Sequence, residues 1–242
     1  MVHTFITKEE ATTNSFKAPY LELFTTSTPN GYKITILLEL LKLDYYVRKM
    51  DLAAGEHKEE WYLNLDPNGK VPSLTSVDKD GNKIHVNESA AIMMFIADKF
   101  DKDFKYSFPH GSKEYYEMVE WLFFQMSGLG PMKGQYHWFT RFAPQKDEFA
   151  IERYYKETLR LFGVMEARLE KNNTGFLVSD HLTLADIVSY PWIGNIAKIP
   201  ELKDYPKLSK WVDDIEKIPE VVAACKIPEF IFPKQAEPTK EE

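Results

Sequence analysis

Cysteine is almost absent from this chain. Its 242 residues include a single cysteine, Cys225, close to the C-terminal end. One thiol excludes disulfides within the chain, CxxC redox pairs and zinc sites built from several thiolates. We expect Cys225 to be a small apolar side chain of the core. The chemistry of this protein must therefore be sought in other residue types.

The sequence also lacks long apolar runs and basic runs. No apolar stretch approaches the ~18 residues that span a bilayer, and the start "MVHTFITKEEATTNSF" has neither the basic nor the apolar region of a secretion signal. Lys and Arg number 30 against 37 Asp and Glu, which gives a net charge of −7. We therefore expect a cytoplasmic protein that binds neither membranes nor nucleic acids.

Strand and helix patterns alternate over the first ~100 residues. "YLELFTT" is typical of a buried strand, and the helix after it has an apolar face. Further along, "VPSLTSV" and "NKIHV" flank Asp80-Gly81, a hairpin signal because glycine tolerates positive φ. The order β-α-β-α-β-β-α predicts a thioredoxin-like domain over residues 18–101, preceded by about 18 polar residues.

Residues 101–112 break this pattern, since they contain Pro109 and Gly111, and we interpret them as a linker. Apolar residues at helical spacing follow, which predicts an all-α domain over residues 112–230. In "HLTLADIVSY", Thr183 and Asp186 have the spacing of a capping box, so we expect a structural role for Asp186. The predicted fold is thus an α/β domain followed by an all-α domain.

Two places in the first domain have groups that could bind a ligand: an unpaired backbone segment and an acidic helix start. Val71-Pro72 lies where a strand should begin, and a proline there leaves the preceding backbone free to pair with a ligand. Glu88-Ser89 begins a helix, where free amides and the helix dipole favour a carboxylate. A first-turn acid beside an N-cap is also a common stabilising device, and this alternative stays open.

A third polar place is the turn "STPNG" between the first strand and its helix. Thr28, Asn30 and the amides of the helix start point the same way, although either residue can also serve as a plain turn or cap residue. In this strand order the three places lie together at the carboxyl ends of the central strands. Together they suit a small extended peptide with an α-amino-acid end and a group stabilised as an anion.

These motifs resemble those of cytosolic glutathione transferases. The resemblance covers about residues 18–230 and rests on "KVPSL", "NESAAI" and "LTLAD" in the same order. More narrowly, "TPNGYKITILLELL" and "GLGPMKGQ" are similar to the nu-class bacterial glutathione-disulfide reductases and to fungal transferases related to a nitrogen-regulatory, prion-forming protein. The resemblance implies the glutathione transferase fold, with glutathione as co-substrate and no metal.

The resemblance implies roles for particular residues. Val71, next to a cis Pro72, would pair through its backbone with the cysteinyl unit of glutathione. Glu88 would bind the γ-glutamyl ammonium, and Ser89 the carboxylate beside it.

It also implies residues for the other two parts of the tripeptide. His57 and Lys70 would meet the glycyl end, although charged neighbours of His57 also fit a solvated face. Thr28 and Asn30 would face the sulfur and favour its thiolate by hydrogen bonding, which explains why the turn needs no cysteine.

The segment "GLGPMKG" interrupts an aromatic helical pattern that is otherwise typical of core. Such a glycine-rich break lets a ligand approach the backbone. In the family this region lines the pocket for the second substrate. We predict four lining residues for it: Phe124, Gln125, Met132 and Gln135.

The sequence thus predicts an enzyme that uses the glutathione thiolate as nucleophile. It would conjugate small hydrophobic electrophiles, as in detoxification, or reduce disulfides. Peroxidase activity would use the same site. The alternative is a non-catalytic regulatory or protein-binding module of the same fold. We expect a homodimer, the common state in this family.

Overall fold

Five strands form one mixed sheet in the first half of the chain. The computed structural model describes residues 3–13 and 16–229. The strands are β1 (His3–Ile6), β2 (Tyr20–Thr25), β3 (Tyr45–Lys49), β4 (Ser73–Val77) and β5 (Lys83–Asn87). Their order in the sheet is β1-β3-β2-β4-β5. Both β1 and β2 run parallel to β3, whereas β4 is antiparallel to β2 and to β5.

The edge strand β1 corrects the prediction that only polar chain precedes the first strand. His3 lies opposite Tyr45 and Ile6 opposite Arg48, so the segment extends the sheet by one parallel strand. Of its four residues only Ile6 is buried. Backbone groups make this pairing, so the strand has no apolar pattern from which it could be predicted. A short helix, α1 (Lys8–Thr13), follows it.

Three helices complete the first half. They are α2 (Pro29–Leu40), α3 (Glu60–Leu63) and α4 (Ser89–Phe100). Every residue of α2 from 31 to 40 is buried, so this helix lies inside the molecule rather than on its surface. Its apolar side chains share one core with the strands and with the second half. From β2 onward the elements follow the order β-α-β-α-β-β-α, as the sequence predicted, with α3 a single helical turn.

The second half is helical, and its described residues contain no strand. The main helices are α5 (Lys113–Phe124), α6 (Gly130–Arg141), α7 (Glu148–Asn172), α8 (Leu184–Ser189), α9 (Pro206–Ile215) and α10 (Pro219–Ala224). One π-helical turn, Gln125–Leu129, joins α5 to α6. The predicted fold class, an α/β thioredoxin-like half followed by an all-α half, is confirmed.

The predicted capping box at α8 is present. Asp186 accepts the Thr183 amide at 3.0 Å, and Thr183 caps the helix in return. The other carboxylate oxygen of Asp186 accepts the Leu177 amide and the Trp211 indole, each at 2.9 Å. Four donors, counting the Thr183 hydroxyl at 3.1 Å, thus converge on one fully buried carboxylate. These hydrogen bonds account for a buried acid at this position, so Asp186 has a structural role.

Candidate active site

A cavity of about 350 Å³ lies between the two halves of the chain. The first half contributes Asn30, Lys33 and Glu88 to its wall. The second half contributes, among others, Gln125, Gln135 and Trp192. Of these residues, Asn30 and Glu88 were predicted for the glutathione site. Gln125 and Gln135 were predicted for the second substrate, so residues of both predicted subsites border one cleft. Asn30 follows the carboxyl end of β2 and Glu88 that of β5, so the position of the cleft agrees with the rule for ligand sites in such sheets.

The turn from β2 into α2 is held by a helix cap and a close backbone approach. Thr28 is the N-cap of α2, and its hydroxyl oxygen accepts the Gly31 amide at 3.1 Å. A Cβ at Gly31 would lie 2.4 Å from both the Thr25 hydroxyl and the Thr26 carbonyl oxygen. Only glycine fits there, so the turn can place Asn30 in the first turn of the helix.

Asn30 is oriented by a tryptophan of the second half. The Trp192 indole N–H donates to Asn30 Oδ1 at 3.0 Å. Because an indole nitrogen only donates, the oxygen of the Asn30 amide must face it. The Nδ2 group is then left as the donor end of Asn30. Trp192 was not among the site residues predicted from the sequence.

The backbone at Val71 is free in the way the sequence suggested. The Val71–Pro72 bond is cis, and Val71 forms no backbone–backbone hydrogen bond within residues 3–13 and 16–229. The Tyr62 hydroxyl contacts the chain on both sides of this dipeptide, with the Lys70 carbonyl at 2.5 Å and Ser73 Oγ at 2.9 Å. Val71 can therefore offer its N–H and C=O to an extended ligand.

The start of α4 has the features of an anion site. Glu88, the N-cap, has a φ of 67°, a left-handed conformation that is unusual for a residue other than glycine. Its side chain makes no capping hydrogen bond, so the first amides of the helix remain unused by the cap. Ser89 beside it is buried. Free amides and the positive end of the helix dipole both favour a carboxylate here.

Lys33 is an ionisable residue of this site that was not predicted from the sequence. Its side chain is fully buried. Nζ donates to Ser89 Oγ at 3.1 Å and to Gln125 Oε1 at 2.6 Å, and it contacts Met126 Sδ at 3.4 Å. Burial lowers the pKa of Lys33 to about 7, and the charge of Glu88 opposes that shift. The lysine thus joins the two halves at the base of the cleft.

The residues predicted for the glycyl end lie near one another. A Cβ at Gly69, next to Lys70, would be 2.7 Å from the His57 carbonyl oxygen. Burial lowers the pKa of His57, and the positive charges of Lys58 and Lys70 act in the same direction. A neutral imidazole is the expected form at neutral pH. Their role toward a ligand stays a prediction.

The four residues predicted for the second substrate separate in the structure. Gln125 and Gln135 line the cleft. Phe124 packs edge-on against Trp121, with ring centroids 4.9 Å apart. Met132 borders a different cavity, formed mainly by α7. The π-helical turn Gln125–Leu129 follows Phe124 and changes the helical phase there. The role of these four residues toward a second substrate stays a prediction.

Other kinds of site find no support in the part of the chain that the structure describes. Residues 3–13 and 16–229 contain no cluster of three His, Cys, Asp or Glu side chains able to hold a metal ion. Among these same residues, no helix has both the length and the apolar character for crossing a membrane. Burial raises the pKa of the Cys225 thiol to about 12, so this cysteine is no nucleophile at neutral pH.

A thioredoxin-like sheet with a cis-proline, followed by an all-helical half with a cleft between them, is typical of the glutathione-using transferases as a class. Two family models match, one described as the N-terminal domain of glutathione S-transferase over residues 28–99, the other as its C-terminal domain over residues 135–226. This chain belongs to the glutathione S-transferase family.

Several relatives are similar over most of their length. The disulfide-bond oxidoreductase YfcG of Escherichia coli is 37% identical over 79% of this chain and 87% of its own. A glutathione transferase homolog from Lodderomyces elongisporus, solved with two GSH (glutathione) per subunit, superposes with a TM-score of 0.81 at 37% identity, covering 86% and 99% of the two chains. The transferase URE2P6 of Phanerochaete chrysosporium, solved with oxidized glutathione, has a TM-score of 0.80 at 38% identity, covering 87% and 96%.

Proposed function

We propose that this chain is an enzyme that binds glutathione in the cleft between its halves and uses the thiolate as nucleophile. The observation that carries the proposal is the oriented amide of Asn30. Its oxygen accepts the Trp192 indole, which leaves Nδ2 as the donor end, and Asn30 borders the same cavity as Glu88. The family and its glutathione-bound members support the choice of ligand.

In this proposal the tripeptide follows the free backbone from one end of the cleft to the other. Glu88 binds the γ-glutamyl ammonium, Ser89 and the first amides of α4 bind the adjacent carboxylate, and Val71 pairs with the cysteinyl unit beside Pro72. His57 and Lys70 meet the glycyl carboxylate.

The sulfur then lies at the start of α2, where Asn30 and the Thr28 hydroxyl donate to it. The Thr28 oxygen accepts the Gly31 amide, which leaves the hydroxyl proton free for this contact. A free thiol has a pKa of about 8.5, so only a few per cent is ionised at neutral pH. One charge-assisted hydrogen bond contributes roughly 1.5–3 kcal/mol, and ~1.4 kcal/mol lowers a pKa by one unit.

The absence of a reactive cysteine determines the route of disulfide reduction. The bound thiolate attacks one sulfur of the substrate disulfide, which forms a mixed disulfide and releases the first thiol. A second glutathione thiolate then attacks the glutathione sulfur, so that oxidised glutathione and the second thiol leave. Both electrons come from glutathione. With an electrophile, the same thiolate gives a conjugate instead, and Gln125 and Gln135 border the space for that substrate.

Two further expectations follow from this proposal. Reduced glutathione is maintained in the reducing cytoplasm, which is therefore the proposed location.

Tyr116 and Phe123 lie seven residues apart on α5, hence on one face, and are 63% and 67% exposed. Large apolar side chains grouped on one helix face mark an interaction surface, and we propose that it belongs to a homodimer.

The variant Asn30→Ala tests the proposed function. It removes one oriented donor to the thiolate but leaves the backbone and carboxylate contacts of the tripeptide intact. We expect turnover in disulfide reduction and conjugation to fall by roughly 10–100-fold, while glutathione affinity changes little. Turnover equal to that of the parent protein would refute the role of Asn30. Absence of both activities in the folded parent protein would leave the non-catalytic alternative.

A further inference from the structure

The buried charge of Lys33 is not balanced by an acid in hydrogen-bond contact. The polar atoms within reach of Nζ are Ser89 Oγ, Gln125 Oε1 and Met126 Sδ, all neutral. Lys33 forms no ion pair with any described residue. A fully buried ammonium without an anionic partner is strongly disfavoured, and such sites in proteins usually receive a counter-ion.

We propose, as an inference that rests on the proposed function, that Lys33 is a positioning residue for the γ-glutamyl carboxylate of glutathione and becomes protonated as that carboxylate binds. The ligand supplies the missing negative charge, and Ser89 transmits the effect of the lysine to it. Lys33 itself uses its three N–H groups within the protein and does not touch the ligand.

The hydrogen-bond directions at Ser89 support this role. Its oxygen accepts from Lys33, so its proton must be donated elsewhere. In the ligand-free protein the partner of that proton is Met126 Sδ at 3.5 Å, a weak acceptor. A carboxylate at the start of α4 is a much stronger acceptor and would replace the thioether.

Gln125 gives a second indication of an unfilled acceptor position. Its Oε1 accepts the hydrogen bond that Lys33 Nζ donates at 2.6 Å, so the amide nitrogen points away from the lysine. The Nε2 group of this fully buried residue has no partner within the described residues. The base of the cleft therefore holds an excess of donors over acceptors, which fits an anionic ligand.

The charges around Lys33 come from few elements. Glu88, the residue before α4, is the charged group that acts on Lys33, and its negative charge favours the ammonium form. The π-helical turn presents the neutral Gln125 and Met126. In the proposed complex Glu88 is paired with the ligand ammonium, so the ligand carboxylate becomes the principal anion near the lysine.

Lys133 is a matched comparison elsewhere in the fold. It is equally buried, and burial also lowers its pKa to about 7. Its ammonium donates to the Ala197 carbonyl at 2.6 Å and lies 4.9 Å from the Phe162 ring centroid, and it does not line the cleft. Lys133 should therefore share the burial of Lys33 without its coupling to a ligand.

The experiment is a calorimetric titration with S-methylglutathione, whose sulfur cannot ionise, in buffers of different ionisation enthalpy near pH 8. A lysine with a pKa near 7 is mostly neutral there and must take up a proton to pair with the carboxylate. We expect the parent protein to take up a large fraction of one proton on binding. Between about pH 7 and about pH 8.5 its affinity should fall about tenfold if the bound lysine has a pKa near 9.

Three variants complete the test. Lys33→Met should lose the proton uptake and its pH dependence, and Lys133→Met should keep both. Ser89→Ala should weaken the binding of S-methylglutathione. In the double variant with Lys33→Met, the fold-loss of affinity should be smaller than the product of the two single-variant losses. The ligand amino group contributes equally in every protein and cancels in the comparison.

The outcomes separate the two proposals. No detectable binding of S-methylglutathione to the folded parent protein would refute the proposed function itself. Binding without proton uptake, or uptake that persists in Lys33→Met, would overturn only the role of Lys33. If Lys33→Met does not fold, the buffer dependence of the parent protein and of Ser89→Ala decides: uptake in the parent supports the inference, and its absence overturns it.

Discussion

The indole of Trp192 should control which end of the Asn30 amide faces the thiolate. In Trp192→Phe the aromatic ring near Gly134 is largely kept, but the donor to Asn30 Oδ1 at 3.0 Å is lost. The amide can then turn its oxygen toward the sulfur, and an oxygen repels a thiolate where a nitrogen would donate to it.

The size of the effect follows from one neutral hydrogen bond. Such a bond contributes about 1 kcal/mol net, which corresponds to roughly a fivefold preference for the productive orientation. Losing about 1 kcal/mol of thiolate stabilisation would raise the pKa of bound glutathione by ~0.7 unit. At neutral pH the turnover of Trp192→Phe should then fall by roughly 3–10-fold, less than in Asn30→Ala.

The assay is a pH titration of the ultraviolet absorbance of the thiolate in the glutathione complex, together with turnover at several pH values. Trp138→Phe provides the matched control, because Trp138 is exposed on α6 and outside the cleft. We expect this control to keep the thiol pKa of the parent complex. A Trp192→Phe complex with the same thiol pKa and turnover as the parent would refute the orientation argument.

Two other properties are open to measurement. Lys33 and Lys133 have a pKa of about 7 in the folded protein, below the value of 10.5 for a free lysine. Between about pH 7 and pH 10.5 the unfolded state therefore binds more protons than the folded state. The free energy of unfolding of the ligand-free protein should rise with pH over this range. In urea unfolding, Lys133→Met should reduce this slope by up to ~1.4 kcal/mol per pH unit, and an unchanged slope would contradict the assignment. Light scattering should give a dimer for the parent protein and a monomer after Tyr116→Glu with Phe123→Glu; a monomeric parent protein would contradict the proposed interface.

The sequence predicted the elements with strong local signals. The hairpin at Asp80-Gly81 and the capping box at Asp186 were predicted correctly, because each depends on residues a few positions apart. The strand β1 was missed, since a short edge strand with one buried residue is defined by its partner β3 and not by its own pattern.

Two site residues were missed for a related reason. Lys33 lies in a helix that is buried on all sides, where apolar periodicity carries no information about which face meets a ligand. A lysine within a mainly apolar helix was the available signal. Trp192 reaches Asn30 from 162 positions away, a contact that no local pattern contains. The π-helical turn after Phe124 was not predicted either, because the glycine-rich break indicates an interruption of the helix but not its form.

The central claim is that the polar turn at Asn30 ionises a thiol that glutathione brings. The most direct measurement is the thiol pKa of glutathione bound to the parent protein and to Asn30→Ala, followed through thiolate absorbance. We expect a value at least one unit below that of free glutathione in the parent complex, and a return toward the free value, ~8.5, in the variant. Equal thiol pKa values in free glutathione and in the parent complex would contradict the claim.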